Sequence, residues 1–274
     1  MKNKYSINEL TTKVRLKKLG DYMKKNIFKD KGKFLCSCYK ECKRSHNGLF
    51  YKGHLHHIGK KYDLKMNSIP IRIMVVGQEL ADRKNYITLD DHYIGGIESK
   101  EDYTYNERNP HMKGTTNVLR LLLRIGLGTD ADSEFLTFSN GKSSHIFDVV
   151  SLVNYLLCSA LKEGKGKAGY STSVMKNNCQ EHFRKVLDIL EPNIIIVQSR
   201  GFWKWIEKSF DNIKPISSKY PLYQAEINGS KVYVASFSHP AARNKLNWGR
   251  DDHTEYLLNT VKPTVNCILK KLGL

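Results

Sequence analysis

The stretch Ile71-Arg72-Ile73-Met74-Val75-Val76-Gly77-Gln78-Glu79 decides how the rest of the chain is read. Residues 71–76 form a compact apolar run, which reads as a strand buried on both faces, and it stops on a glycine followed by a polar pair. The same grammar returns three times. Residues 145–153 lead into Asn154-Tyr155, residues 194–197 into Gln198-Ser199-Arg200, and residues 231–237 into Ser238-His239-Pro240. Between these runs lie helical patterns: one capped by Thr115 or Thr116 and closed by Gly126, one over 174–190 stopped by Pro192, a short one over 202–210, and one over 252–272 kinked near Pro263. Asn228-Gly229, between apolar residues 222–227 and 231–237, marks a hairpin. Strands alternating with helices predict an α/β three-layer sandwich, with a mainly parallel central sheet flanked by helices. Ligands of such sheets sit beyond the carboxyl ends of the strands, where all four polar segments fall.

The 274 residues suit one large domain or two small ones and are ample for a buried core. Lys and Arg number 45 against 27 Asp and Glu, a net charge of +18 with a pI near 9.5. That excess predicts a polyanionic partner, DNA or RNA ahead of an anionic membrane surface. Residues 1–65 hold 18 Lys/Arg and 5 Asp/Glu, so the basic footprint is concentrated there. Residues 1–30 read as a basic helical extension, with a capping box Ser6-Ile7-Asn8-Glu9 and one or two amphipathic helices over about 7–28, and residues 31–274 as a single domain. The polar stretch 81–114 reads as a long functional loop. No apolar run approaches the roughly 18 residues of a membrane span, and MKNKYSINEL has no signal-like apolar core, so a monomeric, cytoplasmic, nucleoid-associated protein is expected. In that compartment clustered cysteines are metal ligands more often than disulfides.

Several chemistries are disfavoured by missing motifs. No GxGxxG follows a strand, Gly164-Lys165-Gly166-Lys167-Ala168-Gly169 lacks the end of a P-loop, and neither GxSxG nor HExxH occurs.

Val75-Val76-Gly77-Gln78-Glu79 resembles the first motif of the uracil-DNA glycosylase superfamily, GQDPY or GEAPG in its members. Val153-Asn154-Tyr155-Leu156-Leu157-Cys158 resembles the TNxVKC segment of the iron–sulfur branch, and Cys179 opens the next helix as the fourth cluster cysteine does there. Leu190-Glu191-Pro192-Asn193-Ile194-Ile195-Ile196-Val197 resembles the LxPxxIVxLG strand, and Ser238-His239-Pro240 the second catalytic motif, HPS. The ordered set spans about residues 34–250. Leu80 and Ala81 stand where the first motif carries proline, Ala241 replaces the serine of HPS, and Asn109-Pro110-His111-Met112 stands for Gly-x-Pro-Phe. These departures weaken the expectation of plain uracil specificity.

The resemblance implies a DNA glycosylase that extrudes a nucleotide and hydrolyses its N-glycosidic bond. Glu79 is the expected general base or electrostatic stabiliser, with Gln78 as the alternative carrier of that role. Gly77 permits close approach, Asn154 pairs with a pyrimidine edge, and His239 donates to the developing charge on the base. His111 or Tyr93 is expected to stack on the base. Arg243, Asn244 and Lys245, together with Arg200, are expected at phosphates, and Leu246 as a wedge in the vacated stack. Cys36-Ser37-Cys38-Tyr39-Lys40-Glu41-Cys42 places three thiols in seven residues. A [4Fe–4S] cluster is expected on Cys38, Cys42, Cys158 and Cys179, with Cys36 as substitute. Zinc is the alternative, on Cys36, Cys38 or Cys42 with His46, His54, His56 or His57; Cys267 reads as core. Three further functions stay open: excision of a bulky modified base from phage DNA as host defence, a glycosylase-like module that binds DNA without cutting, and a zinc-dependent nucleic-acid-binding protein.

Overall fold

A computed structural model describes residues 4–29, 33–52, 56–79, 105–128, 134–162 and 170–274. Its centre is a seven-stranded sheet. In chain order the strands are β1 (His57–Ile58), β2 (Ile73–Gly77), β3 (Val150–Asn154), β4 (Ile194–Val197), β5 (Asp211–Pro215), β6 (Leu222–Ile227) and β7 (Ser230–Ser236), laid out as β5-β6-β7-β4-β2-β3-β1. The pairs β7–β4, β4–β2 and β2–β3 are parallel, while β5–β6, β6–β7 and β3–β1 are antiparallel. The sheet is therefore mixed rather than mainly parallel. Its four central strands run the same way, and the hairpin at Asn228-Gly229 makes one flank antiparallel. Asn228 and Gly229 both take positive φ, 49° and 73°, as a tight two-residue turn requires.

The apolar runs are buried on both faces, and their side chains divide strictly between two cores. Met74, Val76, Ile195, Val197, Val232 and Val234 point into one, and Ile73, Val75, Ile194, Ile196, Tyr233 and Ala235 into the other. The period of two in a strand splits an unbroken apolar sequence this way. Helix α1 (Glu9–Asn26) and helix α4 (Ser173–Leu190) cover the first face; helix α3 (Pro110–Leu122) and helix α6 (Lys262–Lys271) cover the second. Helix α2 (Tyr39–Arg44) carries Cys42 into the first core, and α5 (Trp203–Ile206) is a short turn after β4.

Several boundaries differ from the sequence expectation for local reasons. Asn8, not Ser6, caps α1, its side chain accepting from Thr11 N–H at 3.1 Å, while Ser6 lies in a short strand, Tyr5–Ile7, paired with Leu64–Met66. The basic helix is pinned to the body: Thr12 and Arg15 bond Asp63 at 3.0 and 3.1 Å, and Leu19 and Met23 enter the core. Helix α3 starts five residues earlier than Thr115, because Asn109 caps it and Pro110 fills its first turn. Residues 146–149 are a 3₁₀ turn rather than strand, capped by His145 through Phe147 N–H. Residues 257–261 form a wide π turn just before Pro263, where the missing proline N–H interrupts the ladder.

Candidate functional site

Parallel pairing of β3, β2, β4 and β7 brings their carboxyl ends to one edge of the sheet. There Asn154 lies in register with Gly77. A Cβ on residue 77 would stand 3.1 Å from Asn154 Oδ1, so glycine keeps the amide undisturbed. Tyr155 N–H donates to Gly77 O at 3.0 Å and Leu156 N–H to Gln78 O at 2.9 Å, which extends the β2–β3 pairing past the strands and holds the 77–79 backbone.

Gln78 and Glu79 form one unit. Gln78 Nε2 donates to Glu79 Oε1 at 2.9 Å and to Ser171 Oγ at 2.7 Å. Glu79 Oε2 accepts from Ala160 N–H at 3.1 Å. Burial pushes the Glu79 carboxyl above its usual range, opposed by the Ala160, Gln78 and Ser171 bonds and by the charge of Lys176. Ser171 and Lys176 escaped the sequence reading because they lie some ninety residues away, in a loop and on a helix.

The second half of the edge is a histidine pair. His239 Nδ1 accepts from Ala241 N–H at 3.1 Å, so the neutral ring carries its proton on Nε2. That Nε2–H faces His111 Nδ1 at 3.2 Å, and the rings stack with centroids 5.0 Å apart. His239 is open to solvent on one side; the desolvation of its packed side lowers its pKa. The His239 loop is held by Trp248, whose Nε1–H donates to Ser238 O at 2.8 Å, and by Ser238 Oγ–H to Leu246 O at 2.6 Å. Gly114 and Gly249 let helix α3 meet this loop: a Cβ on Gly249 would stand 1.7 Å from Pro110 O, and one on Gly114 2.6 Å from Pro240. Gln198, buried at the end of β4, donates to Thr115 Oγ1 at 2.9 Å, and Thr115 Oγ1–H bonds His111 O at 3.0 Å. A chain of contacts thus runs from β4 to His239. Gln198 sits in one of the four strand-end segments, which was its only signal.

The Gln78–Glu79 unit and the His111–His239 pair share the sheet edge. Arg243, Asn244, Lys245 and Leu246 are exposed on a single 3₁₀ turn after His239, with Asn244 at φ 58°. A groove of about 320 Å³ beside it is lined by Asn244, Lys245, Asn247, Arg250, Thr254 and Glu255. Arg200 is exposed beyond β4 and lines a different cavity, described below. Tyr93 and His54 lie outside the described residues.

The thiols gather in the first core, where Cys158 opens a short strand, Cys158–Leu161, paired with Leu49–Lys52. Cys179 is buried on α4, accepts from Leu157 N–H, and is pushed up to about 12 by burial and by the proximity of Cys42, Cys36 and Cys38. Cys42 accepts from Asn178 Nδ2 at 3.5 Å, and Cys36 Sγ lies 3.9 Å from His182 Nε2, whose Nδ1 accepts from Tyr22 O–H at 2.5 Å. Cys158 is buried in the same core next to Leu157. The donor set suits a thiophilic centre: five sulfurs share one core region, and burial also raises Cys36 and Cys42. Among the described residues, however, no three His, Cys, Asp or Glu side chains already stand in ligating geometry. Of the histidines considered for zinc, His46 and His57 each direct Nε2 to a backbone carbonyl, of Leu161 and Phe147, at 3.0 and 2.9 Å.

No protein-family model and no curated protein matches the chain. No described helix is long and apolar enough to cross a membrane.

Proposed function

We propose that the protein is a DNA N-glycosylase that excises an altered base, uracil or a modified pyrimidine, and leaves an abasic site. The observation that carries this reading is the shared edge itself, with Gly77-Gln78-Glu79, Asn154 and Ser238-His239 at the carboxyl ends of parallel strands. Breaking a glycosidic bond requires a negative charge near the sugar cation, a donor at the leaving base and a group that reads the base edge. Glu79 supplies the first once ionised, and the Gln78 and Ala160 bonds orient its oxygens. His239 supplies the second: its Nε2–H, shared with His111 in the free protein, turns to a base oxygen. Asn154 offers both donor and acceptor to a pyrimidine edge. Arg243 and Lys245 reach phosphates from the turn after His239, and Leu246, half exposed, is free to enter the stack.

Cys38, Cys42, Cys158 and Cys179, with Cys36 in reserve, are the residues that would hold a [4Fe–4S] cluster, which when bound ties the 158–161 segment to the N-terminal region. The test of the function is incubation with single- and double-stranded DNAs, each carrying one altered base, followed by alkali. Strand scission at the altered position is the expected result. Binding without scission on every substrate favours the non-catalytic DNA-binding reading.

A further inference from the structure

Beyond the edge described above, the structure holds a cavity of about 590 Å³ that none of Gln78, Glu79, Asn154 and His239 lines. Its volume falls within the range of small-molecule sites. One wall is an aromatic stack, Trp203 on Tyr223, with centroids 4.4 Å apart and planes 27° from parallel. Arg200 and Lys219 are exposed at its rim, and among the described residues no acidic side chain lines it. Ser236 lies in the lining, 2 % exposed, and its Oγ has no hydrogen-bond partner among the described residues. A buried hydroxyl left unpaired in a cavity wall keeps a donor and an acceptor available to a ligand. Tyr256, also in the lining, accepts from Ser238 N–H at 3.3 Å, which couples this wall to the residue before His239.

We propose that this cavity binds one nucleotide unit, its planar base against the Trp203–Tyr223 wall and its phosphate between Arg200 and Lys219. Flat aromatic surfaces stack any base, two unopposed cations select an anionic ligand, and the Ser236 hydroxyl pairs with a polar edge of the base. A free nucleotide and a nucleotide flanking the target in a DNA strand present the same chemistry. The proposal goes beyond base excision and does not require it.

Calorimetric titration of the full chain with dTMP, with a five-residue oligothymidylate and with inorganic phosphate tests it. Binding of dTMP identifies the free nucleotide as ligand; binding of the oligonucleotide alone identifies the strand. In either case R200A/K219A, altered only at exposed positions, should weaken binding at least about tenfold. S236A should weaken the base-bearing ligand and leave phosphate unaffected. Failure of dTMP and oligonucleotide alike to bind, or binding that both variants leave unchanged, overturns the proposal. No excision is measured, so the outcome of these titrations is independent of the glycosylase reading.

Discussion

The imidazoles of His111 and His239, 128 residues apart in the chain, lie with Nδ1 and Nε2 3.2 Å apart, and the Ala241 N–H on His239 Nδ1 fixes which of them donates. His239→Ala should bind altered DNA nearly as well as the parent while single-turnover base release falls about 10²–10³-fold, the usual cost of one preorganised donor. His111→Ala should leave His239 a donor without its resting partner, with a smaller loss. Parental rates for His239→Ala would remove this residue from the chemistry.

Glu79 carries the opposite trade. Its folded pKa is raised above the unfolded value by burial, so its contribution to stability is full below the unfolded pKa and is lost as pH rises through the folded one. Melting curves of the parent should therefore lose stability over that rise, and Glu79→Gln should lack this component. The same variant should release base about 10²–10³-fold more slowly. Coincident melting-versus-pH profiles for the two proteins would contradict the buried-charge assignment.

Gly77→Ala tests the base-reading position. The added methyl lies 3.1 Å from Asn154 Oδ1, close enough to displace the amide by a few tenths of an ångström. Stability should change by no more than about 1 kcal/mol, while the preference among altered bases relaxes, as it should in Asn154→Ala. Competition between two substrates in one reaction reads the ratio directly, and an unchanged ratio in both variants would place base selection elsewhere.

Glu134 should be the main acid-sensitive structural group. Its carboxylate holds Arg108 Nη1 at 2.6 Å and His145 Nε2 at 3.0 Å, all three side chains buried. Burial works against its charge, but the His145 and Arg108 bonds prevail and keep its pKa below the ordinary glutamate value. The stability it contributes is present above the unfolded pKa and is lost as pH falls through the lowered one. Glu134→Gln removes the carboxylate opposite a buried guanidinium that also donates to Thr116 Oγ1, and should cost about 3–5 kcal/mol in denaturant unfolding at neutral pH. A cost under about 1 kcal/mol would mean that the Glu134 charge carries little of the stability here.

The thiols are tested spectroscopically. Protein purified without oxygen should be brown, and Cys179→Ser should abolish the visible band and lower the melting temperature. Cys36→Ser and Cys38→Ser, compared side by side, decide which of the two is a ligand: loss of iron in one and retention in the other. Full iron content in Cys179→Ser would refute the cluster assignment.

Much of the fold was legible because its strongest signals are local. An uninterrupted apolar run closed by turn residues, rich in β-branched side chains as at 73–76 and 194–197, reads as a strand covered on both sides, and Asn228-Gly229 favours a hairpin. The polar residues that close each strand were legible for the same reason. Pairing direction was not, because it depends on the route each connection takes, and so half of the sheet's pairings are antiparallel where mostly parallel ones are expected. Caps were misplaced where two candidates stood close together: Asn8 prevails over Ser6 because residues 5–7 are already committed to pairing with 64–66.

What the sequence alone determined is the set of chemical groups and the edge on which they fall. Only the tertiary structure decided their partners: Glu79 with Ala160 and Gln78, His239 with His111, Cys36 with His182, and an orphaned Ser236 hydroxyl in an aromatic cavity. The physical reason is range. Strand periodicity and turn chemistry act over a few residues. A hydrogen bond between side chains 128 positions apart exists only after the sheet order and helix packing have set their separation.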